Sequence, residues 1–241
     1  MHVGVSELAS SPLCEASQTT CWVSRHDGLV DERRVWPIGG DALYSRSVLI
    51  AEEVVLFDRL TDPGEIAVAD ADLAQIRLVI PTIHWPPGSG KFTINPKRQG
   101  NGVVPIKQAF ALDLKARGWT MEIPLFGRRG GFDAGKALAS AWSTLVEWET
   151  GNISSSHRSL NRLTVALMRG LAQQAVLCLP DGDLYRYLTD RTGNWRELSL
   201  YREVYGRVDV PGRLAVIVVS YDATDPLVPL IRKGTDGRAL R

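Results

Sequence analysis

Three acidic residues carry the strongest chemical signal in the sequence: Asp133, then Glu147 and Glu149 on either side of Trp148. Residues 143–149 (STLVEWE) read as a strand, on which successive side chains alternate faces. Glu147 and Glu149 therefore share a face with Leu145, about 7 Å apart along the strand, while Thr144, Val146 and Trp148 face the other way. Two carboxylates on an otherwise apolar strand repel and raise each other's pKa unless a cation lies between them. A hard divalent cation with oxygen ligands fits that need, and Mg2+ is typically held by one or two carboxylates plus a substrate phosphate. The plainer alternative is a half-exposed edge strand with two solvated glutamates.

The residues that follow strengthen the chemical reading. Gly151 ends the strand, Asn152 turns, and Ser154, Ser155 and Ser156 offer capping hydroxyls to a helix predicted over 154–173. His157, Arg158, Asn161 and Arg162 stand in its first turns. A helix N-terminus attracts phosphate through free N–H groups and its dipole. An anion site beside a metal site is what phosphodiester hydrolysis requires. Arg and Asn also suit bidentate contacts with guanine and adenine. Arg158 lies off the expected buried stripe of Leu160, Leu163, Leu167 and Leu171, so burial does not claim it.

An acid at 133, a gap, then Glu147-x-Glu149 on an apolar strand and a following helix resembles the PD-(D/E)xK nuclease core. Glutamate in the last position is similar to the BamHI and BglII group of type II restriction endonucleases, and 146–163 (VEWETGNISSSHRSLNRL) resembles that arrangement. The resemblance implies Mg2+-dependent, in-line hydrolysis of double-stranded DNA at a short site, leaving a 3′-hydroxyl and a 5′-phosphate. It assigns catalysis and the metal to Asp133, Glu147 and Glu149, and base reading to Asn152, Ser154 and Arg158, with His157, Asn161 and Arg162 as further DNA-facing positions. A palindromic site read by a two-fold symmetric protein implies a homodimer. Lys97, Arg98, Lys107, Arg128 and Arg129 are the expected phosphate contacts. The rivals are another nuclease on this core, acting in repair or recombination, and a non-catalytic DNA-binding module that would bind equally well with Mg2+ or chelator. A carbohydrate-active enzyme, its carboxylate pair flanked by Trp142 and Trp148, is a third.

The elements that must position these residues follow from periodicity. Helices are expected over 46–60, 104–117 and 154–173 and within 181–205. Strands are expected over 120–126, from 132, and over 143–149, 175–179 and 214–221, with a long loop at 81–101 and a basic glycine turn at 127–131. This order predicts an α/β (α+β) fold, a central mixed sheet flanked by helices. It is read as one domain over 1–241, with its core at about 104–221 and residues 1–75 as a helical or irregular extension packed on it. The stretch 221–226 (YDATDP) finds no role.

Composition narrows the class. The 241 residues are 44% hydrophobic and 23% charged, close to a globular average. No run of 18 apolar residues suggests a membrane span, and the start lacks a signal-peptide pattern. Cys14, Cys21 and Cys178 make no disulfide framework, which predicts a reducing, cytoplasmic setting, bacterial by the resemblance. His2, His26, His84 and His157 have no metal-ligand spacing. The stretch 87–93 (PGSGKFT) departs from a phosphate loop at both Trp85 and Phe92, so no nucleotide cofactor is expected. The net charge of +1 is uneven: −7 over 1–90, +6 over 91–130 and +2 over 131–241. A local basic belt suits a polyanion.

Overall fold

The computed structural model describes residues 48–125, 128–149, 151–189 and 192–233, the side chains of 125 and 128–130 excepted. The chain divides into two units, Met1–Arg34 and Val35–Arg241, and all the described residues belong to the second. The predicted packing of an N-terminal extension falls, for residues 1–47, outside the described residues, as do Cys14 and Cys21.

Among the described residues six strands form one mixed sheet in the order β1-β7-β6-β5-β4-β3. These are β1 (Leu49–Asp58), β3 (Thr120–Leu125), β4 (Arg128–Ala137), β5 (Trp142–Trp148), β6 (Ala172–Pro180) and β7 (Arg213–Ser220). The central strands β5, β6 and β7 run parallel, whereas β1 joins β7, β4 joins β5 and β3 joins β4, each antiparallel. A short pair, β2 (Thr93–Ile94) with β8 (Ala223–Thr224), lies apart and gives the 221–226 stretch its place.

Helices cover both faces, as parallel strands require. On one face α1 (Pro63–Val79) and α2 (Val104–Ala116) bring Leu73, Ile76, Ile106, Phe110 and Leu114 against Val146, Trp148, Val176, Cys178 and Ile217. On the other, α3 (Ile153–Met168) brings Leu160, Leu163 and Leu167 against Leu145, Leu177, Val216 and Val218. Cys178 is a free, buried thiol. The expected alternation along β5 is present: Leu145 lies in the core under α3, Val146 and Trp148 in the core under α1 and α2.

Four element expectations need correction. Residues 49–58 form the edge strand β1, not a helix, so the sheet extends well before residue 104. Register shifts between Ile50 and Glu52 and between Val55 and Phe57 put Leu56 and Phe57 in the core side by side, which disguises the two-residue period. Helix α3 stops at Met168 because Gly170 takes φ +63°. Its N–H bonds Leu167 O and that of Leu171 bonds Ala166 O, a Schellman ending. Leu171 is consequently exposed and Gln173 lies in β6. Residues 128–131 belong to β4 rather than to a turn. The 181–205 region is not one helix but the short α4 (Gly182–Tyr185), α5 (Trp195–Leu198) and α6 (Arg202–Gly206). Asp181 and Asn194 cap separate starts.

Candidate active site

The parallel strands aim their carboxyl ends at one edge, where ligands of open α/β sheets bind. Glu147 and Glu149 lie there, at the end of β5, and Asp133 lies on neighbouring β4. All three are buried, at 5%, 7% and 8% exposure. The backbone N–H of Trp148 donates to Asp133 Oδ2 at 2.8 Å, which holds the Asp133 carboxylate against the residue that separates the two glutamates.

Each carboxylate has a specific partner. Lys107 Nζ on α2 pairs with Asp133 Oδ1 at 2.7 Å. Arg162 Nη2 on α3 pairs with Glu147 Oε1 at 2.5 Å. Glu149 Oε1 accepts from the Gly151 N–H at 2.5 Å, and its Oε2 accepts from Ser159 Oγ at 2.9 Å. Gly151 is needed for that close approach, since a Cβ there would meet Glu149 Oε1 at 2.8 Å.

The electrostatics are unbalanced. With all three acids ionised, they and Lys107 and Arg162 carry one net negative charge. Burial, and then the neighbouring Asp133, push the Glu147 carboxyl up from 4.5 to about 8, with Arg162 opposing the shift. Burial works against the Lys107 charge, yet Asp133 outweighs it and the ammonium is held above its ordinary range, with smaller help from Glu147 and Glu122.

Among the described residues no three carboxylate, imidazole or thiol groups are gathered on one point. The donor set nevertheless suits a hard cation: it is all oxygen, it is buried, and it holds a carboxyl that burial and a neighbouring carboxylate push up. A divalent ion would turn the net charge of the five groups to +1, and a phosphodiester would then neutralise it.

Helix α3 begins beside this cluster. Its cap is Asn152, whose Oδ1 accepts from the Ser155 N–H at 3.0 Å, rather than the serines that follow. Ser154, Arg158 and Asn161 are exposed along one flank. Arg158 Nη2 donates to Ser155 Oγ at 3.0 Å, and Asn161 Oδ1 accepts from Tyr205 Oη at 3.1 Å. His157 is half-buried and packs edge-on against Tyr201 at 4.7 Å. Arg162 turns inward to Glu147. Lys97 and Arg98 are exposed on a loop stapled by buried Asn101, which donates to Asn95 O and Tyr187 O. The side chains of Arg128 and Arg129 lie outside the described residues.

Sequence reasoning grouped Lys107 with the phosphate contacts and gave Ser159 no role. Ser159 and Arg162 sit at i, i+3 on the helix that follows the two glutamates, a spacing that could have flagged a shared inward target. Lys107 follows Ile106 of the buried Ile106, Phe110, Leu114 stripe, which hints at partial burial.

A mixed sheet whose parallel strands end on buried acids beside a cationic helix start defines a candidate hydrolase of phosphodiesters. Residues 50–238 match the family model described as "Restriction endonuclease BamHI". The chain is 42% identical to the type II restriction enzyme OkrAI of Oceanobacter kriegii over 187 residues, 76% of this chain and 96% of that protein. It is 37% identical to the type II restriction enzyme BamHI of Bacillus amyloliquefaciens over 169 residues, 65% and 77% of the two chains. A solved structure of free BglII aligns at TM-score 0.31 and 20% identity over 48% of this chain; the match spans 58% of that structure, and the likeness is too low to bear on the fold. The chain belongs to the BamHI family of restriction endonucleases. It is a site-specific endodeoxyribonuclease, of a family that works with divalent metal.

Among the described residues no helix is long and apolar enough to cross a membrane.

Proposed function

We propose that this enzyme uses Mg2+ to cut both strands of a short, palindromic site in double-stranded DNA, acting as a homodimer in the bacterial cytoplasm. The observation that carries the chemistry is the under-neutralised trio Asp133, Glu147 and Glu149 beside the start of α3. Asp133 and Glu147 hold the cation, and Glu149 orients the attacking water. The bound ion supplies charge neutralisation at the scissile phosphate and acidifies water. Gly151 and Ser159 fix the Glu149 carboxylate so that it can accept a hydrogen bond from that water. Water attacks phosphorus in line, forming one P–O bond as the bond to O3′ breaks, which leaves a 3′-hydroxyl and a 5′-phosphate. Lys107 pairs with Asp133 and holds it in place within the buried site.

Asn152 and the exposed flank of Ser154, Arg158 and Asn161 face the bases, with Lys97, Arg98, Arg128 and Arg129 on the phosphate backbone. Palindromic recognition follows from two-fold symmetry. The test is incubation with plasmid DNA, with Mg2+ or with chelator. Discrete bands with Mg2+ alone are expected; a smear, or intact DNA, overturns the reading. Arg158→Ala should cost roughly 1–3 kcal/mol on the cognate duplex, with non-specific affinity nearly unchanged. An equal fall on both duplexes would make Arg158 a phosphate contact.

A further inference from the structure

Helix α3 carries two polar flanks. Ser154, Arg158 and Asn161 are exposed, whereas Ser159 is buried and the Arg162 side chain is 23% exposed. Arg162 Nη2 donates both to Glu147 Oε1 at 2.5 Å and to Ser159 Oγ at 3.2 Å. The Ser159 hydroxyl has a single proton, and it goes to Glu149 Oε2 at 2.9 Å while a lone pair accepts from Arg162. One hydrogen-bonded chain therefore joins both glutamates through two residues of one helix. An α-helix rises 1.5 Å per residue and moves as a unit, so its two flanks shift together.

We propose that Ser159 and Arg162 are positioning residues that tie Glu149 and Glu147 to α3, so that the seating of the exposed flank on DNA sets the orientation of the acids. This rests on the assignment of Glu147 and Glu149 to the metal and water site. A buried ion pair is a poor source of stability compared with apolar packing, so stability alone does not account for Arg162. The charged hydroxyl-bridged link fixes two carboxylate rotamers, which an apolar contact would leave free.

The test measures equilibrium DNA affinity of the full chain, for the duplex containing its cleavage site and for one altered at a single base pair. Each is measured in chelator and with Ca2+ as the probe cation. In the wild type, Ca2+ is expected to tighten the specific duplex about tenfold more than the altered one, within the usual range of coupling between sites. Ser159→Ala and Arg162→Met should reduce that difference to below about twofold, and Arg162→Lys should keep most of it. Affinity in chelator should stay near wild type for Ser159→Ala, which changes no charge, whereas Arg162→Met loses a positive charge and should weaken both duplexes alike. Thermal melting identifies a variant that fails to fold; if Arg162→Met does so, Ser159→Ala and Arg162→Lys decide. The proposal is overturned if the wild type shows no such difference, if Ser159→Ala keeps it, or if Ser159→Ala instead weakens both duplexes equally in chelator. Glu147→Ala separates the two levels: a Ca2+ effect that survives it removes the site assignment itself, whereas one lost there but intact in Ser159→Ala removes only the link.

Discussion

The two ends of the parallel strands both bury polar and charged groups, and they treat them in opposite ways. At the amino ends, Asp72 of α1 accepts hydrogen bonds from Ser143 Oγ at 2.5 Å and Thr144 Oγ1 at 2.9 Å. Gln174 of β6 donates to Thr144 Oγ1 and to Ala69 O. Arg213 of β7 takes Asp58 at 3.0 Å and Asp70 at 2.5 Å, both of them partly open to solvent. At the carboxyl ends, Lys107 of α2 pairs with Asp133 and Arg162 of α3 with Glu147, Glu149 accepts from Gly151 and Ser159, and Glu147 still sits at about 8. One end satisfies its acids with donors and water. The other keeps a carboxyl that its own neighbours do not fully compensate, the condition under which functional sites are found.

That contrast predicts its own largest effect. Glu147→Ala should reduce cleavage by about 10³-fold or more, because a metal ligand supports several kcal/mol of transition-state stabilisation. DNA affinity in chelator should hold or tighten, since a negative charge facing phosphate is gone. Cleavage within tenfold of wild type would show that the carboxyl-end cluster is as structural as the amino-end one.

The pH dependence sharpens the comparison next. Below about 8, cation binding must displace the Glu147 proton, so affinity for Mn2+, measured by calorimetry without DNA, should rise with pH by at most roughly tenfold per unit and level off above 8. Folding without metal runs the other way. Between 4.5 and about 8 the folded state keeps a proton that the unfolded chain has lost. The contribution is therefore complete below 4.5 and lost as pH rises through 8. Glu147→Gln should abolish both slopes; if they persist in that variant, another group is titrating.

The legible parts of this architecture were local. Glu147 and Glu149 stood out because two acids interrupt an apolar strand, and the alternation of Leu145, Val146 and Trp148 survives in the two cores. Helix α2 was legible from Pro105 at its start and Gly118, at φ +79°, past its end. What stayed hidden depends on partners distant in sequence. The bulges of β1 follow from its pairing with β7, which no window around residue 50 contains. Lys107 finds Asp133, and Asp72 finds Ser143 and Thr144, only once α1 and α2 have packed on the sheet. Ser159 reads as one more polar helix residue until the end of β5 is placed beneath it.

The smallest effect belongs to the amino end. Asp72→Asn keeps the shape and one carbonyl oxygen able to accept from Ser143 and Thr144, but removes the charge that strengthens both bonds. The cost should be about 1–2 kcal/mol in urea unfolding, because the hydroxyls keep a weaker acceptor instead of being left unpaired. Turnover per folded molecule should stay within about twofold, since Asp72 bonds the first residues of β5 and the acids lie at its far end. A hundredfold loss of turnover with unchanged unfolding would mean that the two ends are not separable. Strain at Thr144 would then reach Glu147 through the strand they share, and the amino-end network would belong to the catalytic apparatus.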